Sequence, residues 1–209
     1  MTSNQLAVRN LIKGRDDREI TGLIPDLETT TNKIFSEREL KLHVPANGQP
    51  VWQNFDYAVL LQSSGAGHGI YGEILGRMET LPSGLKIIVY EVVGLVKESR
   101  GNGHLPNLMQ NANLMDLELT RRFEPTAQYP LLQTLRTSDE PAHHMYSRKS
   151  DLSLTVPATH ENTVLYRPQN YHVHFYGVDR IPFATRDSAL WEIAGHVAGL
   201  PAKFEKINL

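Results

Sequence analysis

The stretch Tyr90-Glu-Val-Val-Gly-Leu-Val-Lys-Glu-Ser-Arg100-Gly-Asn-Gly-His-Leu-Pro106 holds the residue types and spacing best suited to chemistry. An apolar β-type run leads into a basic, glycine-rich turn. Leu105, Leu108, Met109, Ala112, Met115 and Leu119 then recur at helical spacing. Glycine lets backbone N–H groups approach an anion closely, and a helix N-terminus adds roughly half a positive charge. Strand, glycine turn and helix together make a pyrophosphate cradle. Two other phosphate motifs are absent. No Gly-x-x-x-x-Gly-Lys-Ser/Thr loop occurs, and Pro106 stands where the third glycine of a dinucleotide fingerprint would follow Gly101 and Gly103. An ordinary turn is the competing reading of the same residues.

Five of the nine histidines fall in three further groups of interest. His172-Val-His174 places two imidazoles on one face of a strand, as many metal sites do. His143-His144 is a second pair, and His68 lies in a glycine-rich turn. A third ligand at matching spacing is missing after His174, where the next acid is Asp179. No metal is therefore expected. A His-ligated, cupin-like metallohydrolase is the alternative. A serine hydrolase lacks its Gly-x-Ser-x-Gly elbow.

Composition narrows the class. A chain of 209 residues can bury a full core, so one domain spanning 1–209 is expected. Within it, 1–56 reads as N-terminal helices, 57–150 as the ligand-binding core and 151–209 as C-terminal strands and a helix. With 21 basic and 23 acidic side chains, the net charge of −2 gives no global pull toward nucleic acid or an anionic membrane. The absence of cysteine excludes disulfides, thiolate metal sites and a cysteine nucleophile. The opening residues do not read as a signal peptide, and the apolar runs are strand-sized. A cytoplasmic protein is the expectation.

The elements that must position these residues follow from pattern. Asp16–Ile24 and Thr30–Leu42 each predict a helix, separated by Pro25. Tyr57–Gln62, Gly69–Met78 and Leu85–Val96 predict a three-strand meander, turned at Leu81-Pro-Ser-Gly84. Gly94 inside the third strand signals a bulge or a close approach. The helix after the glycine turn carries Pro106 in its first turn and ends before Pro125. Leu131–Leu135 predicts a strand, and Ser138-Asp139-Glu140-Pro141 opens a short helix. Thr163–Tyr166 and Tyr171–Val178 predict strands, and Ser188–Ala198 a last helix ended by Gly199 and Pro201. The class is α+β: a mixed, mostly antiparallel central sheet flanked by helices.

This order resembles the GNAT acyl-CoA N-acyltransferase superfamily. Glu91-Val-Val-Gly-Leu-Val-Lys-Glu-Ser-Arg100-Gly-Asn-Gly103 is similar to the family's fourth strand and its Arg/Gln-x-x-Gly-x-Gly/Ala loop. Arg100 matches the first position and Gly103 the central glycine, while Leu105 departs at the last. Leu131-Leu-Gln-Thr-Leu-Arg-Thr-Ser-Asp139-Glu-Pro-Ala142-His-His-Met-Tyr146 is similar to the fifth strand and following helix. The family's Gly-Phe after that helix is replaced by Ser150-Asp151.

The resemblance implies acetyl-CoA as co-substrate and an amine-bearing acceptor, small molecule or protein, with a homodimer allowed. It implies that Arg100, Gly101, Asn102, Gly103 and His104 bind the pyrophosphate, and that Gly94 marks a bulge. It implies that a backbone N–H of Leu95 or Val96 stabilises the oxyanion. Tyr146 would be the general acid for the leaving thiolate, and Glu91 the base for the ammonium, directly or through water. Plainer readings stand beside these: Tyr146 as a packing residue, Glu91 as a solvated strand residue, Arg100 as merely exposed. A GNAT-like binding module without catalysis is a further alternative, as the departures at Leu105 and Pro106 allow.

Overall fold

The computed structural model describes residues 6–38, 49–64, 69–137, 140–157 and 170–198. Seven strands and four helices are present among them: β1 (Leu6–Ile12), α1 (Asp17–Ser36), β2 (Tyr57–Ser63), β3 (Ile70–Thr80), β4 (Lys86–Leu95), α2 (His104–Arg121), β5 (Gln133–Thr137), α3 (Glu140–Ser147), β6 (Leu152–Pro157), β7 (Asn170–Tyr176) and α4 (Arg186–Val197). The strands form one sheet in the order β1-β2-β3-β4-β5-β7-β6. The β1–β2, β2–β3, β5–β7 and β6–β7 pairs are antiparallel. The class is α+β, with a mostly antiparallel sheet flanked by helices. By contacts the chain divides into two compact units, one of residues 1–77 with 90–129 and one of 78–89 with 130–209.

The first unit buries Leu11, Leu27, Phe55, Leu60, Leu75 and Val92 between β1–β4 and α1. Its helix α1 corrects the two-helix expectation. The helix runs unbroken through Pro25. Ile20, Leu23, Leu27, Thr30, Thr31 and Ile34 keep one continuous buried face across the proline. Pro25 itself is exposed. The carbonyl that its missing N–H leaves unpaired therefore faces water, where the loss is small beside the burial of that face. The expected extension to Leu42 lies outside the described residues.

A strand absent from the expectation is β1. Leu6 and Val8 alternate with the more exposed Ala7 and Arg9, a period-2 signal that Asn10 interrupts. The meander is as expected, and Gly84 takes the left-handed conformation (φ 86°) at its turn, its N–H donating to the Leu81 carbonyl at 2.8 Å.

The second unit buries Ile87, Val89, Leu132, Val173, Phe175 and Ile193 around β5–β7 and α4. Here β6 is the unexpected strand. Leu152, Leu154 and Val156 alternate with Ser153 and Thr155 in the manner of a half-buried strand. The expected strand Thr163–Tyr166 lies outside the described residues, as do Ser138, Asp139, Gly199 and Pro201 that were to bound two helices. β7 threads between β5 and β6, pairing Leu135 with His174 on one side and Ser153 with His174 on the other.

Glu73 is a charge-bearing group in the core of the first unit. It is 0 % exposed, its Oε1 accepts from the Thr31 hydroxyl, and its Oε2 has no hydrogen-bond partner among the described residues. Burial raises its carboxyl from 4.5 to about 8. Between those values the folded chain holds a proton that the unfolded chain releases. Stability is then greatest below the lower value and falls as pH rises, by about 1.4 kcal/mol per pH unit, until it levels near the upper one. Denaturant unfolding from pH 5 to pH 9 is expected to show this slope, and Glu73→Gln to flatten it. Equal slopes in both proteins would remove Glu73 as its cause.

Candidate active site

The glycine turn lies in the first unit, between β4 and α2. After Leu95 the chain makes one short helical turn, Lys97–Ser99, and reaches Gly101 (φ 81°) and Gly103 (φ 73°), both left-handed. Gly103 is the N-cap of α2. No side chain caps this helix, and no acidic residue lies in its first turn. Among the described residues, a Cβ at Gly101 or Gly103 would meet no atom within 4 Å, and Gly101, Asn102 and Gly103 are exposed. Packing therefore does not demand these glycines. Their backbone conformation does. Pro106 sits in the first turn, where the helix has no use for its N–H. The result is a helix N-terminus open to solvent, with a concentrated row of N–H groups and the positive end of the helix dipole.

Arg100 is engaged on its own side of the turn. Its Nε donates to the Leu95 carbonyl at 3.0 Å and its Nη2 to Glu37 Oε2 at 2.9 Å. The same Glu37 oxygen accepts the Lys97 N–H at 2.7 Å, and Lys33 pairs with Glu98 at 2.7 Å. The last turn of α1 thus ties down the segment before the glycines. A carboxylate at a helix C-terminus opposes the dipole, and these two bonds to Glu37 offset that cost.

The β4 strand changes face just before the turn. Tyr90 donates its hydroxyl to Asp116 of α2 at 2.6 Å. Val92 packs with Ile20 and Leu27 of α1, and a Cβ on Gly94 would lie 2.5 Å from Ile34 of α1. Residues two and four apart on a regular strand share a face, so the alternation breaks between Tyr90 and Val92. The irregularity expected at Gly94 is therefore centred on Glu91. Gly94 serves the close approach of Ile34. Glu91, at the break, accepts from Arg77 Nη2 at 2.5 Å and Nε at 3.1 Å, with its side chain 11 % exposed. It is a paired carboxylate rather than a solvated one. Of the two oxyanion-donor candidates, the Val96 N–H already donates to the Tyr71 carbonyl at 2.9 Å.

The second unit holds Tyr146 on α3. It is 4 % exposed, with its ring centroid 5.9 Å from that of His174. The histidines read in sequence as separate pairs converge here. The His143 ring stacks on His172 at 3.7 Å and lies 5.3 Å from His174. His174 Nε2 is 3.1 Å from the Thr137 hydroxyl, and His172 Nδ1 is 3.2 Å from the Thr155 hydroxyl. Burial, with lesser contributions from His143 and His172, lowers His174 from 6.5 to about 4. Imidazole lone pairs lie in the ring plane, so stacked rings aim them alongside one another rather than at a common point. No group of three metal-binding side chains able to hold an ion occurs among the described residues. His68 lies outside them. Incubation with EDTA is expected to leave the melting temperature unchanged. A stoichiometric metal that is lost in a His172→Gln, His174→Gln double variant would contradict this.

The sequence matches no protein-family model and no curated protein. The fold nonetheless is that of the GNAT acyltransferases. An agmatine N-acetyltransferase mutant, in its apo form, superposes over 81 % of this chain and 98 % of its own with a TM-score of 0.52, at 10 % identity. The chain is also similar to Arabidopsis thaliana NAA60 in complex with acetyl-CoA (TM-score 0.48, 12 % identity, 82 % of this chain and 99 % of that one). A third similar structure is Ard1 from Thermoplasma volcanium (TM-score 0.46, 14 % identity, 81 % and 95 %). No helix among the described residues is long and apolar enough to cross a membrane.

Proposed function

We propose that this chain is an acyl-CoA-dependent N-acyltransferase that moves an acetyl group from acetyl-CoA to a primary amine by direct attack. The observation that carries the reading is the open N-terminus of α2. Among the described residues it has no side-chain cap and no first-turn acid, and it follows two left-handed glycines that no atom crowds. Those features leave N–H groups available to a pyrophosphate. The break in β4 supports the same reading, because an irregular strand leaves backbone groups for the amides of a pantetheine arm to pair with.

In the reaction the amine nitrogen bonds to the thioester carbonyl carbon, and the C–S bond breaks. The carbonyl oxygen gains charge in the transition state and needs a donor. With the Val96 N–H held by Tyr71, that role falls to the Leu95 N–H. Glu91 takes the ammonium proton, directly or through water, and Tyr146 protonates the departing thiolate. Both roles rest on the resemblance of their sequence segments. The acceptor class is a primary amine, and a protein N-terminus and a small polyamine are both within it.

The test is release of free CoA thiol from acetyl-CoA in the presence of agmatine or a peptide with a free N-terminus. The chain has no cysteine, so a thiol reagent reports CoA alone. Amine-dependent thiol release supports the enzyme. Tight acetyl-CoA binding without turnover on any amine would make the chain a binding module instead.

A further inference from the structure

Leu95 carries both the N–H assigned to the oxyanion and a carbonyl that Arg100 holds. The Val96 N–H donates to the Tyr71 carbonyl of β3 at 2.9 Å. The Gly94 carbonyl oxygen also lies on the β3 side, 3.1 Å from where a Cβ on Gly72 would stand. The carbonyl and N–H of one peptide point in opposite directions, so the Leu95 N–H points away from β3. The N–H and carbonyl of one strand residue share an edge, so the Leu95 carbonyl points away from β3 as well. There it accepts from Arg100 Nε at 3.0 Å.

The rest of the Arg100 side chain is committed to the same task. Its Nη2 donates to Glu37 Oε2 at 2.9 Å. Nε and Nη2 form the edge by which an arginine grips a phosphate with two parallel bonds, and protein acceptors occupy both prongs here. The Arg100 backbone N–H donates to the Lys97 carbonyl at 3.2 Å. Glu37 is the C-cap of α1, where a carboxylate opposes the helix dipole. Its place there serves the segment from Lys97 to Arg100, not the helix that carries it. On the other side of Leu95, a Cβ on Gly72 would collide with the Leu95 side chain, so the bare glycine gives that side chain its seat across β3.

We infer that Arg100 and Glu37 are positioning residues for the oxyanion donor: Glu37 holds the guanidinium, and the guanidinium fixes the Leu95 carbonyl and with it the direction of the Leu95 N–H. The inference rests on the acyltransferase reading, which gives that N–H its role. A donor that is already oriented stabilises the developing charge without first having to turn. The end of β4 needs such a hold, because the strand is irregular at Glu91 and leads into two left-handed glycines. The pyrophosphate then falls to the N–H groups from Gly101 to His104, and the Arg100 side chain acts on the rate and not on the affinity.

That division is what the experiment reads. Thiol-release kinetics and calorimetric titration with acetyl-CoA are compared for wild type, Arg100→Gln, Arg100→Lys and Glu37→Ala. Each variant is expected to lose at least roughly tenfold in kcat, the scale of a misaimed donor. Each should keep its Kd for acetyl-CoA, and the salt dependence of that Kd, within about twofold of wild type. Arg100→Lys is the milder change and carries the same test. It keeps a charge that a phosphate would still feel, but lacks the fork that spans Leu95 and Glu37. The Arg100→Gln, Glu37→Ala double variant should lose no more rate than Arg100→Gln alone, because Glu37 acts through Arg100. Acetyl-CoA binding weakened tenfold or more in Arg100→Gln, with a flatter salt dependence and kcat kept, would make the side chain a phosphate ligand. Unchanged kcat in all three single variants would leave Arg100 a mere loop tie. Either result overturns the inference and leaves the enzyme reading standing. Wild type that binds acetyl-CoA but turns over no amine would overturn the reading and the inference with it.

Discussion

Gly103→Asp is expected to weaken acetyl-CoA binding by roughly two to three orders of magnitude while the chain stays folded. The carboxylate would stand at the N-cap of α2, on the anion's side of the helix dipole. Two unit charges about 4 Å apart repel by about 4 kcal/mol at an effective dielectric of about 20. The fold should tolerate the change for two reasons. Among the described residues a Cβ at this position meets nothing within 4 Å, and aspartate is among the few side chains that visit the left-handed region (φ 73° here). Its charge also suits a helix N-terminus otherwise without an acid. Gly103→Val separates the effects less cleanly, because a branched residue at this φ adds backbone strain of about 1–2 kcal/mol. Titration calorimetry and a melting curve on Gly103→Asp check both halves. A folded variant that binds acetyl-CoA as wild type does would move the anion site elsewhere.

Tyr146→Phe is expected to lower kcat on the order of a hundredfold and to leave the KM for acetyl-CoA nearly unchanged. The ring is 4 % exposed and its packing survives the change. Loss of a buried hydroxyl costs about 1–2 kcal/mol of stability, too little to account for such a fall in rate. Steady-state kinetics on a thiol-release assay gives both constants. An unchanged kcat would take Tyr146 out of the mechanism.

Local signals carried much of this structure and long-range pairing carried the rest. The strand, glycine turn and helix from β4 to α2 were legible because each rests on its own residues: the β-rich run, Gly101 and Gly103, and the 3.6-residue apolar period. The early proline misled. Pro25 marks a helix break locally, but the buried face from Ile20 to Ile34 continues across it, and only the tertiary contact shows that the proline points to water. β1 and β6 carried alternation that polar residues diluted. Arg100 was read as a pyrophosphate ligand or as merely exposed. Its partner Glu37 lies 63 residues earlier, and nothing local announces the pair. The histidine cluster was equally hidden. His143 and His172 meet because β7 inserts between β5 and β6, an order that the sequence does not state.

The most direct test of the account is calorimetric titration of the unmodified chain with acetyl-CoA. The open N-terminus of α2 predicts about one molecule bound per chain, with affinity that falls as salt rises, because the contact is with a charged pyrophosphate. No binding at acetyl-CoA concentrations up to about 1 mM, weaker than roughly −4 kcal/mol, would contradict it.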